Sequence, residues 1–290
     1  DIENARQYYL QYLREVGGIH GEGNMIDRHA LAIGSPRRID APLKIDCVNA
    51  LNNLGALELT DGKNASLVTY YLTRAIEIGD DDMLVHAYAN LGSHLAKIGD
   101  HEGAANAFIR GFWANIRQGL LNAAAGLLVR RAFLVPIVAS SLEETEKSRV
   151  GFFRRINDVQ ELAVRGGSSW ANDYSDLFRV AHGISTMEDI RNVPVLSGVL
   201  DDWTINVQLP PFYVHYYGWH DLPLNTAVAT LFTHLCPESL FEIAGHLTTP
   251  QPAFNSQKKR VGFISSLMGG DEPHGLLVLD IMRSLKNLFD

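Results

Sequence analysis

One histidine near the end of the sequence, His274, is the residue best placed to do chemistry. Residues 261–264 form an apolar run rich in β-forming side chains, residues 265–273 form a polar break with glycines, and leucine and isoleucine then recur at helical spacing. This order predicts a strand, a loop and a helix, with His274 at the helix N-terminus. The helix dipole there lowers the pKa of an imidazole, and a neutral histidine could position a hydroxyl or act as a weak base. The alternative is a histidine that only caps or flanks the helix of an ordinary βα loop.

Other side chains in this part of the chain offer weaker patterns. Four histidines lack an HxxxH pair or a carboxylate at ligand spacing, so no metal site is predicted at His215, His220, His234 and His246. Ser265-Ser266 with Gly269-Gly270 could cradle a phosphate, but the GxGxxG, GxxxxGK and GxSxG patterns are absent. Four aromatic residues could stack on a sugar or a peptide, although core packing is the commoner role for Tyr213, Tyr216, Tyr217 and Trp219.

The elements needed to position His274 define the predicted fold class. A strand–loop–helix unit normally pairs with further parallel strands, because one such step cannot bury both faces of its strand. One helix follows the strand here, and the residues upstream favour helices. We therefore expect a mostly α chain that leads into the beginning of an α/β lobe, as the front part of a larger protein. Helices are predicted at residues 3–16, 142–167, 170–182 and 186–192, and a loop or irregular insertion at residues 19–43.

The amino-acid composition limits the number of domains and the kinds of partner that the chain can have. The chain has 290 residues, of which 46% are hydrophobic and 20% charged, enough for two domains with sizeable cores. A net charge of −8 argues against nucleic acid or an anionic membrane as the main partner. Arg130, Arg131 and Pro136 interrupt the most apolar segment, residues 119–140, which leaves it too short for a transmembrane helix of about 20 residues. Cys47 and Cys236 lie far apart and fit either a disulfide or buried thiols in a reducing compartment such as the cytoplasm, the nucleus or an organelle interior.

A repeat organises the first half of the chain. The sequence NNLG at residues 52–55 returns as ANLG at residues 89–92, 37 residues later, and each copy is followed by a Gly/Asp turn and a second helical pattern. Small residues at Gly55, Gly92, Ala75 and Ala104 would let two helices cross closely. The pattern resembles the tetratricopeptide repeat, a helical hairpin with a period near 34 residues. Residues 115–134 are expected to be a third helical stretch, either the first half of another repeat or a cap. The alternative to tetratricopeptide-like repeats is any antiparallel pair of helical hairpins.

Two later segments resemble the O-linked N-acetylglucosamine transferase family. Residues 209–240 match its FxxxYxGxxD pattern at Phe212, Tyr216, Gly218 and Asp221, followed by a helix that ends near a Cys-Pro stop. Residues 260–266, RVGFISS, resemble the first strand of the family's N-terminal catalytic lobe. With tetratricopeptide-like repeats upstream, three matches occur in the family's order.

The resemblance implies two Rossmann-like lobes, of which this chain would carry only the start of the first. It predicts tetratricopeptide-like repeats at residues 1–141, a helical spacer at 142–208 and the incomplete lobe at 209–290. The family places a catalytic histidine in the loop after its first strand. A gapless alignment puts Asp271 there and a local shift puts His274 there, so His274 is the catalytic candidate. No cofactor is expected in this chain, because the lobe that mainly binds the UDP-sugar donor has no counterpart.

Two functions follow from this interpretation. The first is a protein O-glycosyltransferase, present as an N-terminal portion that should be inactive alone, with repeats that bind protein or peptide segments in a groove. The second is a non-catalytic scaffold, a subunit of a larger assembly that retains a transferase-like lobe. The altered loop at residues 267–273 favours the second function.

Overall fold

The computed structural model describes nine α-helices, a short 3-10 helix at Gly167–Ser169 and part of the chain that connects them. It covers residues 2–15, 41–62, 64–80, 84–136, 138–169, 186–201, 207 and 221–237, all within the first of two compact units, Asp1–Phe241 and Glu242–Asp290. The helices are α1 (Ile2–Glu15), α2 (Ala41–Asp61), α3 (Ala65–Ile78), α4 (Val85–Lys97), α5 (His101–Arg117), α6 (Leu121–Ala132), α7 (Leu142–Arg165), α8 (Met187–Arg191) and α9 (Leu222–Leu235). No strand occurs among these residues, so the predicted mostly α character is confirmed for this part of the chain.

The helices pack mainly on their neighbours in the sequence. α2 pairs with α3 and α4 with α5, while α3 also packs on α4 and α5 on α6. α2 touches α4 directly, which places the first helices of the two hairpins side by side. α6 then packs on α7, and α7 packs on α9. This sequential packing is what stacked helical hairpins require.

Close helix crossings depend on glycine at the two repeated positions. A Cβ added to Gly55 in α2 would lie 2.6 Å from the side chain of Leu72 in α3. A Cβ added to Gly92 in α4 would lie 2.5 Å from the ring of Phe108 in α5. Real Cβ atoms do not approach carbon this closely, because interiors are already packed near crystal density. The predicted role of these two glycines is confirmed.

Glycines with positive φ end α2, α4, α5 and, at Gly166 with φ 66°, α7. Gly62 follows α2 with φ 70°, and Gly99 follows α4 with φ 87°, where the sequence predicted turns. Gly119, with φ 72°, ends α5 in the same way, and the backbone N–H of Leu120 donates to the carbonyl of Asn115 at 2.9 Å. The single helical stretch predicted over residues 115–134 is therefore wrong. The chain reverses at Gly119, and α6 is a separate helix.

The remaining helix predictions agree with the structure to within a few residues where it describes them. α1 occupies the helix predicted at 3–16, α7 the one predicted at 142–167, and α8 the one predicted at 186–192. α2 begins at Ala41, so the last three residues of the loop predicted at 19–43 are helical. Residues 19–40 and the helix predicted at 170–182 lie outside the described residues.

The predicted spacer helix α7 is part of the main core. Phe152 on α7 stacks on Phe133, which follows α6, with ring centroids 5.7 Å apart, and Phe133 meets Phe232 of α9 edge to face at 6.1 Å. Phe133 therefore links α7 to α9 through its ring contacts with the buried Phe152 and the partly buried Phe232. Cys47 and Cys236 are both buried thiols, and they form no disulfide with each other.

The predicted α/β lobe at residues 209–290 has no support from the structure. Within that range the structure describes only residues 221–237, and they form helix α9 and its cap at Cys236. The strand predicted at 261–264 lies outside the described residues. The limits of the three predicted domains remain predictions. None of the helices in the described ranges is long and apolar enough to cross a membrane.

Candidate protein-binding surface

A row of polar side chains crosses α2, α4 and α6, and we call it the polar row. It consists of Asn52 and Asn53 on α2, Asn90 and Ser93 on α4, and Arg130 on α6. All five side chains are partly exposed. They alternate with the buried glycines and alanines that hold the hairpins together, so each helix presents a packed side and a polar side.

The repeat itself places the asparagines. Asn53 precedes Gly55 by two residues, and Asn90 precedes Gly92 by two residues. Two residues turn a helix by about 200°, so a side chain two positions before the packed glycine points away from the partner helix. The same motif therefore puts an asparagine at the same place on α2 and on α4.

Hydrogen bonds join the polar row across the helices. Asn90 donates from Nδ2 to Oδ1 of Asn52 at 2.9 Å, which links α4 to α2. Arg130 donates from Nη1 to Oγ of Ser93 at 3.4 Å, which links α6 to α4. Asn53 donates from Nδ2 to the hydroxyl of Tyr9 on α1 at 3.1 Å. Three separate hydrogen bonds thus join α1 to α2, α2 to α4 and α4 to α6.

The chemistry of the row suits a polar, extended ligand. Each asparagine carries an amide donor and an amide acceptor, so it can bond to the peptide groups of another chain whatever that chain's side chains are. Burial lowers the pKa of Arg130 to about 10, which still leaves the guanidinium charged at neutral pH. The row therefore offers neutral donors and acceptors with one cation at its α6 end.

A buried histidine lies behind the row, between α3 and α4. His94 is 3% exposed, and its Nε2 lies 3.0 Å from Oγ1 of Thr69. Burial lowers the pKa of His94 below its usual value of 6.5, because the charged ring would lose its hydration, and the charge of Lys97 acts in the same direction. His94 is a structural group next to Ser93 and does not reach the surface.

An ion-pair network fastens α1 to α2. Arg6 donates from Nε to Oε1 of Glu58 at 2.7 Å and from Nη2 to Oδ2 of Asp61 at 3.3 Å, and it also pairs with Glu3. Glu58 is only 3% exposed, so its carboxylate depends on this guanidinium. The network has a structural role and keeps Tyr9 next to Asn53.

A separate apolar groove lies between α7 and α9. Its volume is about 550 Å³, and its described walls are Glu146, Arg149, Val150, Phe153, Pro223 and Leu224. Arg149 in its wall donates to Asp221 at 2.6 Å. Among these described wall residues no nucleophile is paired with a base.

The residues predicted for catalysis are not tested by this geometry. His274, the serines and glycines of residues 265–270, the aromatic residues of 213–219 and three of the four histidines lie outside the described residues. His234 lies in the last turn of α9, where its backbone carbonyl accepts from the backbone N–H of Gly198 at 2.8 Å. Within the ranges that the structure covers, no group of three His, Cys, Asp or Glu side chains could hold a metal ion.

The polar row was missed at the sequence level, although a signal for it existed. The repeat was interpreted through its small and apolar positions, and the asparagines of NNLG and ANLG were not assigned a role. Arg130 was interpreted only as an interruption of an apolar segment. Its contact with Ser93 requires the α4–α6 arrangement, which the sequence does not reveal.

No protein-family model, curated protein or solved structure matches this chain.

Proposed function

We propose that this chain is a tetratricopeptide-like scaffold that binds extended segments of partner proteins along the polar row. The observation that carries the proposal is the repeated Asn-Leu-Gly triplet. Its glycine packs the hairpins, and its asparagine lies on a partly exposed surface where separate hydrogen bonds join α1 to α2, α2 to α4 and α4 to α6. A net charge of −8 and the neutral character of most of the row favour a protein ligand over nucleic acid.

A selection experiment tests this function with no partner chosen in advance. The full chain is immobilised and used to select binders from a random peptide library, and the dissociation constants of the selected peptides are measured by fluorescence anisotropy. Each asparagine that bonds to the peptide contributes about 1 kcal/mol, so Asn53→Ala/Asn90→Ala should weaken binding by about 30-fold.

The matched control is Asn157→Ala, which removes an exposed asparagine from α7, away from the row. This variant should bind as the unmodified chain does. Recovery of no related peptides, or equal affinities for the Asn53/Asn90 double variant and the Asn157 variant, would contradict the proposal.

The transferase resemblance remains a second proposal, for a larger protein that includes this chain. In the segment that resembles the family, the pattern predicts a helix that ends near a Cys-Pro stop, and α9 ends directly before Cys236-Pro237. This agreement favours the second proposal. In that case the polar row would hold the protein acceptor, and His274 remains the catalytic candidate. Calorimetry of the full-length gene product with UDP-GlcNAc tests it, since absence of binding heat and of competition would remove the enzyme interpretation.

A further inference from the structure

Exposed apolar side chains border the groove between α7 and α9. Val150 is 58% exposed and Phe153 is 38% exposed, and both line the groove together with Pro223. Single exposed apolar residues are ordinary on a protein surface, but a group of them around one cavity is typical of an interaction surface. At about 550 Å³, the groove has room for more than one side chain of another molecule.

Polar contacts fix the two helices that form the groove. Arg149 of α7 donates from Nη1 to Oδ1 of Asp221, the residue before α9, at 2.6 Å. Further along α7, Gln160 donates from Nε2 to the backbone carbonyl of Ala227 in α9 at 2.7 Å. Because these contacts hold α9 against α7 at two separate points, the groove is a preformed surface.

Opposite charges flank Val150 on the exposed side of α7. Glu146 precedes Val150 by four residues and also lines the groove, and Arg154 follows Val150 by four residues. Both charged residues are exposed. Four residues advance a helix by about 6 Å and turn it by about 40°, so the three side chains lie in one line along α7. An arginine has several N–H donors, so Arg154 can bond to a further carboxylate in addition to contacts within its own chain.

We propose that this side of α7 pairs with the same side of a second copy of the chain, in antiparallel orientation, about a two-fold axis beside Val150. The axis places Glu146 of each copy at the level of Arg154 of the other copy. Val150 and Phe153 of both copies then cover the two grooves.

The order of the charges selects this occupant and this orientation. An antiparallel copy brings opposite charges together on both sides of Val150, whereas a parallel copy would bring glutamate to glutamate and arginine to arginine. Contacts between identical surfaces about a two-fold axis are also the commonest way in which a chain associates with itself. The inference goes beyond the proposed function and does not depend on it, because no residue of the polar row takes part.

Sedimentation equilibrium of the full chain tests the pairing. We expect dimers at about 100 µM, since an interface centred on one helix is small. Glu146→Arg should weaken the dimer about 30-fold, because two identical ion pairs each change from attraction to repulsion, and Arg154→Glu should do the same. An equimolar mixture of these two variants should pair about as tightly as the unmodified chain, because every charge then faces its opposite. A chain that stays monomeric, or dimers that neither variant weakens and mixing does not restore, would overturn the proposal.

A cysteine beside the axis tests the geometry of the pair. Val150→Cys should link two copies by a disulfide under mild oxidation, since a residue beside a two-fold axis lies next to its own copy. The matched control is Val164→Cys, the same exchange at another exposed valine of α7. Val164 lies about 21 Å further along the helix, which puts its two copies about 40 Å apart in an antiparallel pair. Cys47 and Cys236 are buried, so the new thiol is the exposed one. Equal cross-linking of the two variants, or none in Val150→Cys, would overturn the antiparallel arrangement.

Discussion

Replacement of Gly92 by alanine tests the central packing claim. The new Cβ would lie 2.5 Å from two carbon atoms of the Phe108 ring, about 1 Å closer than ordinary carbon contacts allow. Phe108 is 1% exposed and belongs to the main core, so its ring cannot move without displacing other buried side chains. Overpacking of this kind costs about 1–3 kcal/mol, while the gain in helix propensity from glycine to alanine is about 1 kcal/mol. We expect Gly92→Ala to lower the free energy of unfolding by up to about 2 kcal/mol.

The matched control for this change is Gly151→Ala on α7. A Cβ there would meet only Nη1 of Arg155, at 3.0 Å, whose guanidinium also donates to the backbone carbonyls of Ala132 and Leu134. A shift of a few tenths of an ångström relieves this contact, so the control should lose less stability than Gly92→Ala, because helix propensity contributes up to about 1 kcal/mol in its favour. Urea denaturation followed by circular dichroism measures both variants. Phe108→Leu should rescue part of the loss in a Gly92→Ala background, because it frees space at the crossing. If Gly92→Ala is as stable as Gly151→Ala, the close crossing of α4 and α5 is refuted.

Two further predictions concern buried ionisable groups, namely His94 and the Arg6–Glu58 pair. The unfolded state takes up a proton on His94 at a higher pH than the folded state does, because burial lowers the folded pKa. The contribution of His94 to stability should therefore be complete above about pH 6.5 and lost as the pH falls below it. The urea midpoint of His94→Gln should therefore change less between pH 7.5 and pH 5.5 than the midpoint of the unmodified chain does. Arg6→Met should destabilise the chain by about 3 kcal/mol, since it leaves the buried carboxylate of Glu58 without a cation, and Arg6→Met/Glu58→Leu should recover most of this loss in thermal unfolding. Equal stability of Arg6→Met and the double variant would show that the pair is not coupled.

Sequence patterns predicted the hairpins because their signals are local. Glycine at a tight crossing and glycine after a helix can each be recognised within one repeat, as at Gly92 and Gly99. The break at Gly119 was missed for a physical reason. Apolar residues continue through it at helical spacing, and only the left-handed backbone of Gly119 shows that the chain reverses there.

The candidate site was harder to predict because it is not local. The contacts Asn52–Asn90, Ser93–Arg130 and Tyr9–Asn53 each join different helices. No spacing within one helix predicts which of its polar side chains will meet another helix. The one indication in the sequence was the repetition of asparagine with glycine, since two copies of the same motif on parallel, adjacent helices must bring like residues to the same surface.

The two residues of that motif separate folding from binding. Gly92 faces Phe108 inside the hairpin, whereas Asn90 faces Asn52 on the partly exposed surface. A change at Gly92 should therefore lower stability first and alter binding only where the helices move. A change at Asn90 removes one partly exposed hydrogen bond, which costs at most about 1 kcal/mol of stability, but it removes a donor and an acceptor from the row. A loss of peptide affinity in Asn90→Ala with a nearly unchanged urea midpoint would assign the motif both roles, and parallel losses of affinity and stability would mean that the asparagine serves only the fold.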